Sequence, residues 1–499
     1  MKSPVAKMVD LFAAAHDLVH YNGAAFALAR MNGYTFGGQV GVAQPFGPEL
    51  RRSILRTSRM SSEIKMMTRA AADMVLDHLA SMAFDGPETP LALRFHERSD
   101  GQRITIDLGR VEVGLSRSQT KVMAIGRDGW EVAAPEPGVY FRRSHAVKPL
   151  PVPEHGGRLD VLADLLDTDP DGEPFRAMLG WVIGLPFVAS VRPGLMLVGP
   201  PGSGKSTTLR LLASIVEPSG VDALGSSFGQ NFGDDQVRAF HRALPLWDNL
   251  TSISGNASDS LCCLVTGTAR EVRTLYTDSG LSTFPISRPV GLTAVGVPAG
   301  LRPDALDRLI VIELERPARR VSDAELQRRF TEVHPLLLGA LGDAVSAALR
   351  WRDRVQPPTE YRMAALAHIL AATDAAVAAG ELPGCPGGLL QAYAGYHRRI
   401  KERTVADDVF GSALISLLEA RGGAWRGKAS ELVLQAGMYA GSLHDRYGPG
   451  WPSTPRRVPE VLAHLQDGLN ALGVHWQKTT VNGSAVFAFT LTPRSDGQP

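Results

Sequence analysis

Apolar and polar positions change rhythm several times along this chain, and each change predicts an element. From Ser62 to Phe84 the apolar residues recur at helical spacing. Arg103 to Val113 (RITIDLGRVEV) alternates polar with apolar, as a half-buried strand does. Short strands are expected around Val122-Met123-Ala124 and Val139-Tyr140-Phe141. The run Lys148-Pro149-Leu150-Pro151-Val152-Pro153, with Gly156-Gly157 behind it, predicts a linker. Past residue 158, helical and strand-like patterns alternate, which predicts a parallel α/β core. The most apolar stretch, Ala177 to Ser190, is shorter than the roughly 20 residues that span a bilayer, and is expected as a buried helix. From Ser322 to about Gly380 the pattern is mostly helical, and Glu381 to Gly388 (ELPGCPGG) breaks it. Beyond about 405, three helical segments precede a hairpin.

Length and composition refine this picture. A chain of 499 residues suggests about three domains. The pattern divides it into an α+β region at 1–150, an α/β core at 158–320, a helical region at 321–402 and a C-terminal domain at 403–499. At 44% hydrophobic and 21% charged, it can bury sizeable cores. The net charge of +1 advertises no global attraction to nucleic acid, so any basic surface is local. Cys262, Cys263 and Cys385 form no CxxC pair, which argues against a disulfide framework and a zinc site and fits the cytoplasm. Asp10, His16 and Asp17 break up the apolar run near the start, so neither a signal peptide nor a membrane anchor is expected.

The most specific chemistry lies in one loop. Leu195-Met196-Leu197-Val198 reads as a buried strand, and it runs into Gly199-Pro200-Pro201-Gly202-Ser203-Gly204-Lys205-Ser206, then a helical run from Thr207 to Ile215. Strand, GxxxxGK[ST] loop and helix is the phosphate-binding P-loop in its proper context. Glycines let backbone N–H groups turn toward phosphate, and the helix N-terminus adds positive partial charge. Lys205 is then expected on the β- and γ-phosphates of ATP, and Ser206 on Mg²⁺. The bland alternative is a chance glycine-rich turn. About 40 residues on, Ala243-Leu244-Pro245-Leu246-Trp247 is an apolar strand ending in Asp248, the residue type a second Mg²⁺ contact needs. Alternatively Asp248 caps the next segment. Asn249 follows, and it can orient a water but cannot take its proton. Asp259 is another polar contributor, or else a helix cap beside Ser258 and Ser260.

The order of motifs carries a resemblance. After the glycine loop and the Asp-Asn strand come Ser258–Gly267 (SDSLCCLVTG), Arg273–Asp278 (RTLYTD), a strand opening Arg288-Pro289-Val290, and Arg302–Arg308 (RPDALDR). This resembles the AAA+ ATPase module of replication proteins from phages, plasmids and integrative elements, itself similar to superfamily 3 helicases and to poxvirus-type primase–helicases. Ile106–Gly109, Asp128–Val132 and Tyr140–Arg143 are similar to that family's region before the ATPase, so the likeness is expected from about 20 to 490. It implies a P-loop AAA+ (RecA/ASCE-like) core and a homo-oligomeric ring, a hexamer, that moves along DNA, with a primase or polymerase as a separate chain. A hairpin between Arg270 and Phe284 would line the channel, with Arg270 and Arg273 as phosphate contacts or, alternatively, charges on a solvated hairpin edge. Thr293 stands where the family commonly has an asparagine sensor, or is a core threonine. Arg308, or Arg302, would be the finger that reaches a neighbour's ATP. Either arginine could instead pair with Asp304 or Asp307. Arg362 is a second-sensor candidate.

At the C-terminal end, Asp407–Arg421, Ser430–Gln435 and the segment from Thr454 to Leu472 read as helices, with Ser430 as a cap. Asn482-Gly483 joins two alternating strands, a strong hairpin signal. Helices then a hairpin is the winged-helix pattern, with Arg456, Arg457 and Lys478 as phosphate contacts, or else a protein-docking module. The expected function is an ATP-dependent DNA helicase or translocase in mobile-element replication. The alternative is a non-helicase AAA+ ATPase: a DNA-bound switch, a loader or an anti-phage defence ATPase. A small-molecule kinase is disfavoured, since no acceptor site or lid arginines are visible.

Overall fold

The computed structural model describes residues 2–30, 39–62, 64–113, 118–220, 224–226, 228–230, 232–267, 271–273, 281–283, 286–317, 321–441, 451–481 and 484–492. Two compact units result, Met1–Ala392 and Tyr393–Pro499.

A five-stranded parallel sheet lies at the centre of the first unit. Its strands are β1 (Gly194–Val198), β2 (Leu224–Gly225), β3 (Leu246–Ser252), β4 (Gly291–Ala299) and β5 (Leu309–Glu313), in spatial order 2-3-4-1-5. Every residue of β1 is buried, as befits a strand covered on both faces by helices. Parallel pairing sends all five C-terminal ends to one edge. That edge holds the loop leaving β1, and ligands of open α/β sheets bind at such an edge. The loop leads into α1 (Lys205–Ser214), and β3 leads into α2 (Gly255–Thr266). Ser254 caps α2 through its Oγ, which accepts from Ala257 N at 3.2 Å, and Gly267 ends it at φ 76°.

The apolar stretch near 177 forms the helix Glu173–Gly184, buried at every position from Ala177 to Gly184. Trp181 places its one polar atom on the Pro193 carbonyl at 2.9 Å, just ahead of β1. Downstream, Ser322 caps the long helix α3 (Asp323–Trp351). Among the described residues no helix is long and apolar enough to cross a membrane.

The N-terminal region contains two four-stranded sheets and the helices Pro4–Ala15, Pro48–Met60 and Arg69–Phe84. The helix expected from Ser62 starts at Arg69, because Thr68 accepts the Ala71 N–H and so caps it there. Residues 148–157 are not a free tether. Lys148 N donates to Pro218 O at 2.7 Å, Leu150 N to Leu108 O at 2.8 Å, and Glu154 N to Pro335 O at 3.0 Å. Prolines hold this strap extended, and these three N–H groups bond in turn to the core, to the N-terminal region and to α3. Trp130 Nε1 donates to Asp343 on α3 at 2.9 Å, tying the same regions together.

In the second unit the helices Val409–Ala420, Ala429–Ala436 and Val458–Ala471 surround a three-stranded antiparallel sheet. Two strands, Val474–Val481 and Ser484–Leu491, are the expected hairpin arms. Its Asn482-Gly483 turn lies outside the described residues. The third strand, Ala424–Lys428, was not expected. It is short, and it is held by its neighbour through Trp425 opposite Phe489. Ser430 is not the cap of its helix. The helix begins at Ala429, and Glu431 reaches back to accept the Lys428 N–H at 3.0 Å.

Candidate nucleotide site

Three glycines shape the loop that leaves β1. Gly202 and Gly204 sit at φ 81° and 80°, and Gly199 at φ 151°. A β-carbon on Gly199 would strike the Leu314 carbonyl and approach Ser203 Oγ to 2.9 Å. Leu314 follows β5 and donates its N–H to Val198 at 2.8 Å, so the loop closes tightly over the end of β1. Pro200 and Pro201 stiffen the exposed half of the turn. Thr207 follows in the first turn of α1.

Lys205 begins α1 and folds back over the loop. Its Nζ donates to the carbonyls of Gly199 at 2.8 Å and Pro200 at 2.9 Å, with Ser203 Oγ at 3.4 Å. Burial pulls its pKa below the ordinary lysine value, and the Asp248 carboxylate opposes that pull.

Asp248, from β3, faces this helix start. Ser206 Oγ donates to its Oδ1 at 2.6 Å. Thr293 Oγ1, from β4, donates to the same oxygen. The Asn249 backbone N–H donates to Thr293 Oγ1 at 2.9 Å. Adjacent parallel strands β1, β4 and β3 therefore bring the glycine loop, Thr293 and Asp248 together. Asn249 adopts φ 55°, a left-handed conformation that asparagine tolerates better than most residues, where the β3–β4 register shifts. Its side chain is exposed, whereas Thr293 is wholly buried.

The fit to a magnesium–nucleotide pair rests on these donors. A serine hydroxyl on one carboxylate oxygen, beside a lysine at a helix N-terminus, is a hard-oxygen set that suits Mg²⁺ shared with phosphate.

The other expected residues lie elsewhere. Arg308 immediately precedes β5, at the amino edge of the sheet, with its side chain 13% exposed. It donates to the Asp304 carbonyl, and the Asp304 carboxylate lies 3.6 Å away. Arg302 is 52% exposed and pairs with Asp259 at 2.7 Å. Asp259 is thus engaged with Arg302 and not with the loop. Arg362 faces Asp307 at 3.8 Å. Strands Glu271–Arg273 and Leu281–Thr283 pair antiparallel. Arg270 and the turn at Asp278–Gly280 lie outside the described residues, as does the side chain of Arg273. Arg456, Arg457 and Lys478 are exposed on the second unit, and Arg457 pairs with Glu460 at 3.2 Å.

Residues 168–389 match the family model of the actinomycete integrative conjugative element replication protein. The match takes in the glycine loop, Asp248, Thr293 and the Arg302–Arg308 motif, and stops before the second unit. It agrees with the resemblance drawn from the order of motifs. No curated protein matches the chain. Among solved structures, the chain is similar to "SCCmec type IV Cch - active helicase" at 12% identity and a TM-score of 0.44, covering 95% of this chain and 93% of that one. It is also similar to "The A form apo structure of NrS-1 C terminal region-CTR" at 10% identity and a TM-score of 0.41, covering 98% and 100%. Likenesses this loose carry no weight for activity.

Proposed function

We propose that this chain is an ATP-driven motor acting on DNA in the replication of a mobile genetic element, with a P-loop AAA+ core working as a ring, a hexamer, and a winged-helix C-terminal unit. The observation that carries the reading is the meeting of Lys205, Ser206, Asp248 and Thr293 at the carboxyl edge of the sheet. The family match to replication proteins supplies the context.

In this reading the loop N–H groups and Lys205 hold the nucleotide phosphates, Lys205 exchanging its two carbonyl contacts for phosphate oxygens. Ser206 and Asp248 hold the metal, whose charge offsets that of the phosphates. Thr293 fixes the Asp248 carboxylate through its hydroxyl. Because it is wholly buried, it is a positioning residue and not a phosphate sensor. The exposed Asn249 carboxamide orients the attacking water, a sufficient role where the transition state is loose. Arg302 is the better-exposed finger toward a neighbour, whereas Arg308 must first leave Asp304.

ATPase assays with and without single-stranded DNA, alongside strand displacement, test the proposal. Lys205→Ala is expected to cut turnover by about 10²–10³-fold. DNA stimulation without strand separation would replace the helicase by a switch or loader. Full turnover by Lys205→Ala would end the whole reading.

A further inference from the structure

A second cavity, of about 420 Å³, lies at the opposite end of the sheet. It opens between the N-terminal region and the amino edge of β3, and no residue of the glycine loop lines it. Arg94, Arg142, Arg143, Lys148, Glu217 and His241 contribute to its wall.

Positive charge is in surplus here. Arg142 is 5% exposed, and no carboxylate pairs with it among the described residues. It donates to the Phe240 carbonyl and lies 3.7 Å over the Phe240 ring. Its Nε is buried without a partner. Arg94, 3% exposed, spends its terminal nitrogens on the Asp107 and Lys148 carbonyls and also leaves Nε unpartnered. Asp107 is already engaged by the Arg143 fork, at 2.8 and 2.6 Å. Glu217 is the remaining buried carboxylate. Its Oε2 accepts the Ala243 N–H at 2.8 Å, and its Oε1 has no partner. Burial, partly opposed by Arg94, Arg242 and Arg288, raises its pKa and favours its neutral form. Burial and Arg288 also push Arg142 down to about 10, the sign of a cation lacking its counter-ion. At the rim, the Lys148 ammonium is exposed and has no partner among the described residues, while Glu49 and His145 face each other at 3.7 Å.

A buried guanidinium without a carboxylate, such as Arg142, is strongly unfavourable unless an anion completes it, and Arg94 shares Asp107 and Glu217 with its neighbours. The volume falls within the range of small-molecule sites, about 300–1,000 Å³. We infer that this cavity is a second anion site, taking a small phosphate-bearing molecule: free phosphate, pyrophosphate or a mononucleotide. Guanidiniums bind phosphate oxygens in this charge-assisted manner. A DNA backbone cannot reach arginines this deeply buried. The site would be coupled to the glycine loop. Glu217 follows α1, which Lys205 begins, and Ala243 leads into β3, which carries Asp248. An occupant thus bears on the far ends of both elements.

Calorimetric titration of pyrophosphate into the full-length Lys205→Ala chain tests this, since the glycine-loop site is disabled there. One pyrophosphate per chain is expected. Adding Lys148→Glu, a change at an exposed side chain that is expected to leave the melting temperature unaltered, should weaken it by about tenfold or more. Parallel titrations of phosphate and AMP identify which phosphate source the site prefers. Absence of pyrophosphate binding in Lys205→Ala, or equal binding after Lys148→Glu, overturns the inference. So does tighter binding of a 5′-phosphorylated oligonucleotide than of any small anion. None of these outcomes bears on ATP turnover by the unaltered chain, so this site and the nucleotide site fail separately.

Discussion

The two edges of the central sheet hold positive charge in opposite ways. At the carboxyl edge Lys205 is half-exposed, reaches two loop carbonyls and faces Asp248 close by. At the amino edge Arg94 and Arg142 are buried and anchored on carbonyls, with the carboxylates outnumbered. The first arrangement can exchange its partners, as the proposed turnover would require. The second is tied by hydrogen bonds to backbone carbonyls, as the inferred anion site would need.

The largest effect that tests this contrast is Lys205→Ala. Hydrolysis should fall by about 10²–10³-fold with little change in melting temperature, because the lysine serves the ligand more than the fold. Steady-state phosphate release and a thermal melt on the same sample decide it. Asp248→Asn should cut hydrolysis by about 10²-fold while keeping the Ser206 and Thr293 hydroxyls paired, and raising Mg²⁺ should restore part of the loss. Gly199→Ala drives a β-carbon against the Leu314 carbonyl, and the loop is expected to lose about 1–3 kcal/mol along with nucleotide affinity, read by denaturant titration and nucleotide binding. Thr293→Val removes the acceptor of the part-buried Asn249 N–H and should cost about 1 kcal/mol, while Thr293→Ser retains both hydrogen bonds. If serine fails to rescue hydrolysis, the hydroxyl is not what positions Asp248.

The smallest effect concerns the amino edge. The Glu217 pKa is raised in the folded chain, so the folded state holds its proton to higher pH than the unfolded state does. Its contribution to stability therefore declines as pH rises upward from about 4.5. Glu217→Gln should flatten that decline, measured as melting temperature against pH. An unchanged slope would mean that the surrounding arginines already hold the carboxylate ionised.

Legibility in the sequence followed proximity along the chain. The loop from Gly199 to Ser206, the buried strand before it and the helix after it are contiguous, and their pattern could be read directly. Asp248 was legible because the apolar run from Ala243 to Trp247 leads into it, although the strand itself starts at Leu246 and continues past Asp248 to Ser252. Elements whose neighbours are distant were not. The strand Ala424–Lys428 exists because Phe489 packs on Trp425, and residues 148–157 became a strap because carbonyls of Leu108, Pro218 and Pro335 meet it. Arg308 could be read by position either as a finger or as a partner of Asp304 or Asp307, and only packing shows it held by a carbonyl and a carboxylate of Asp304.

By itself the sequence determined the parallel α/β core, its glycine loop and the order of motifs, because these depend on local spacing and backbone freedom. Only the tertiary structure decided that Thr293 is sealed beneath Asp248, and that Arg94, Arg142 and Glu217, scattered over more than a hundred residues, share one cavity wall. The physical reason is that burial and counter-ion balance depend on which segments pack together. No local pattern encodes that.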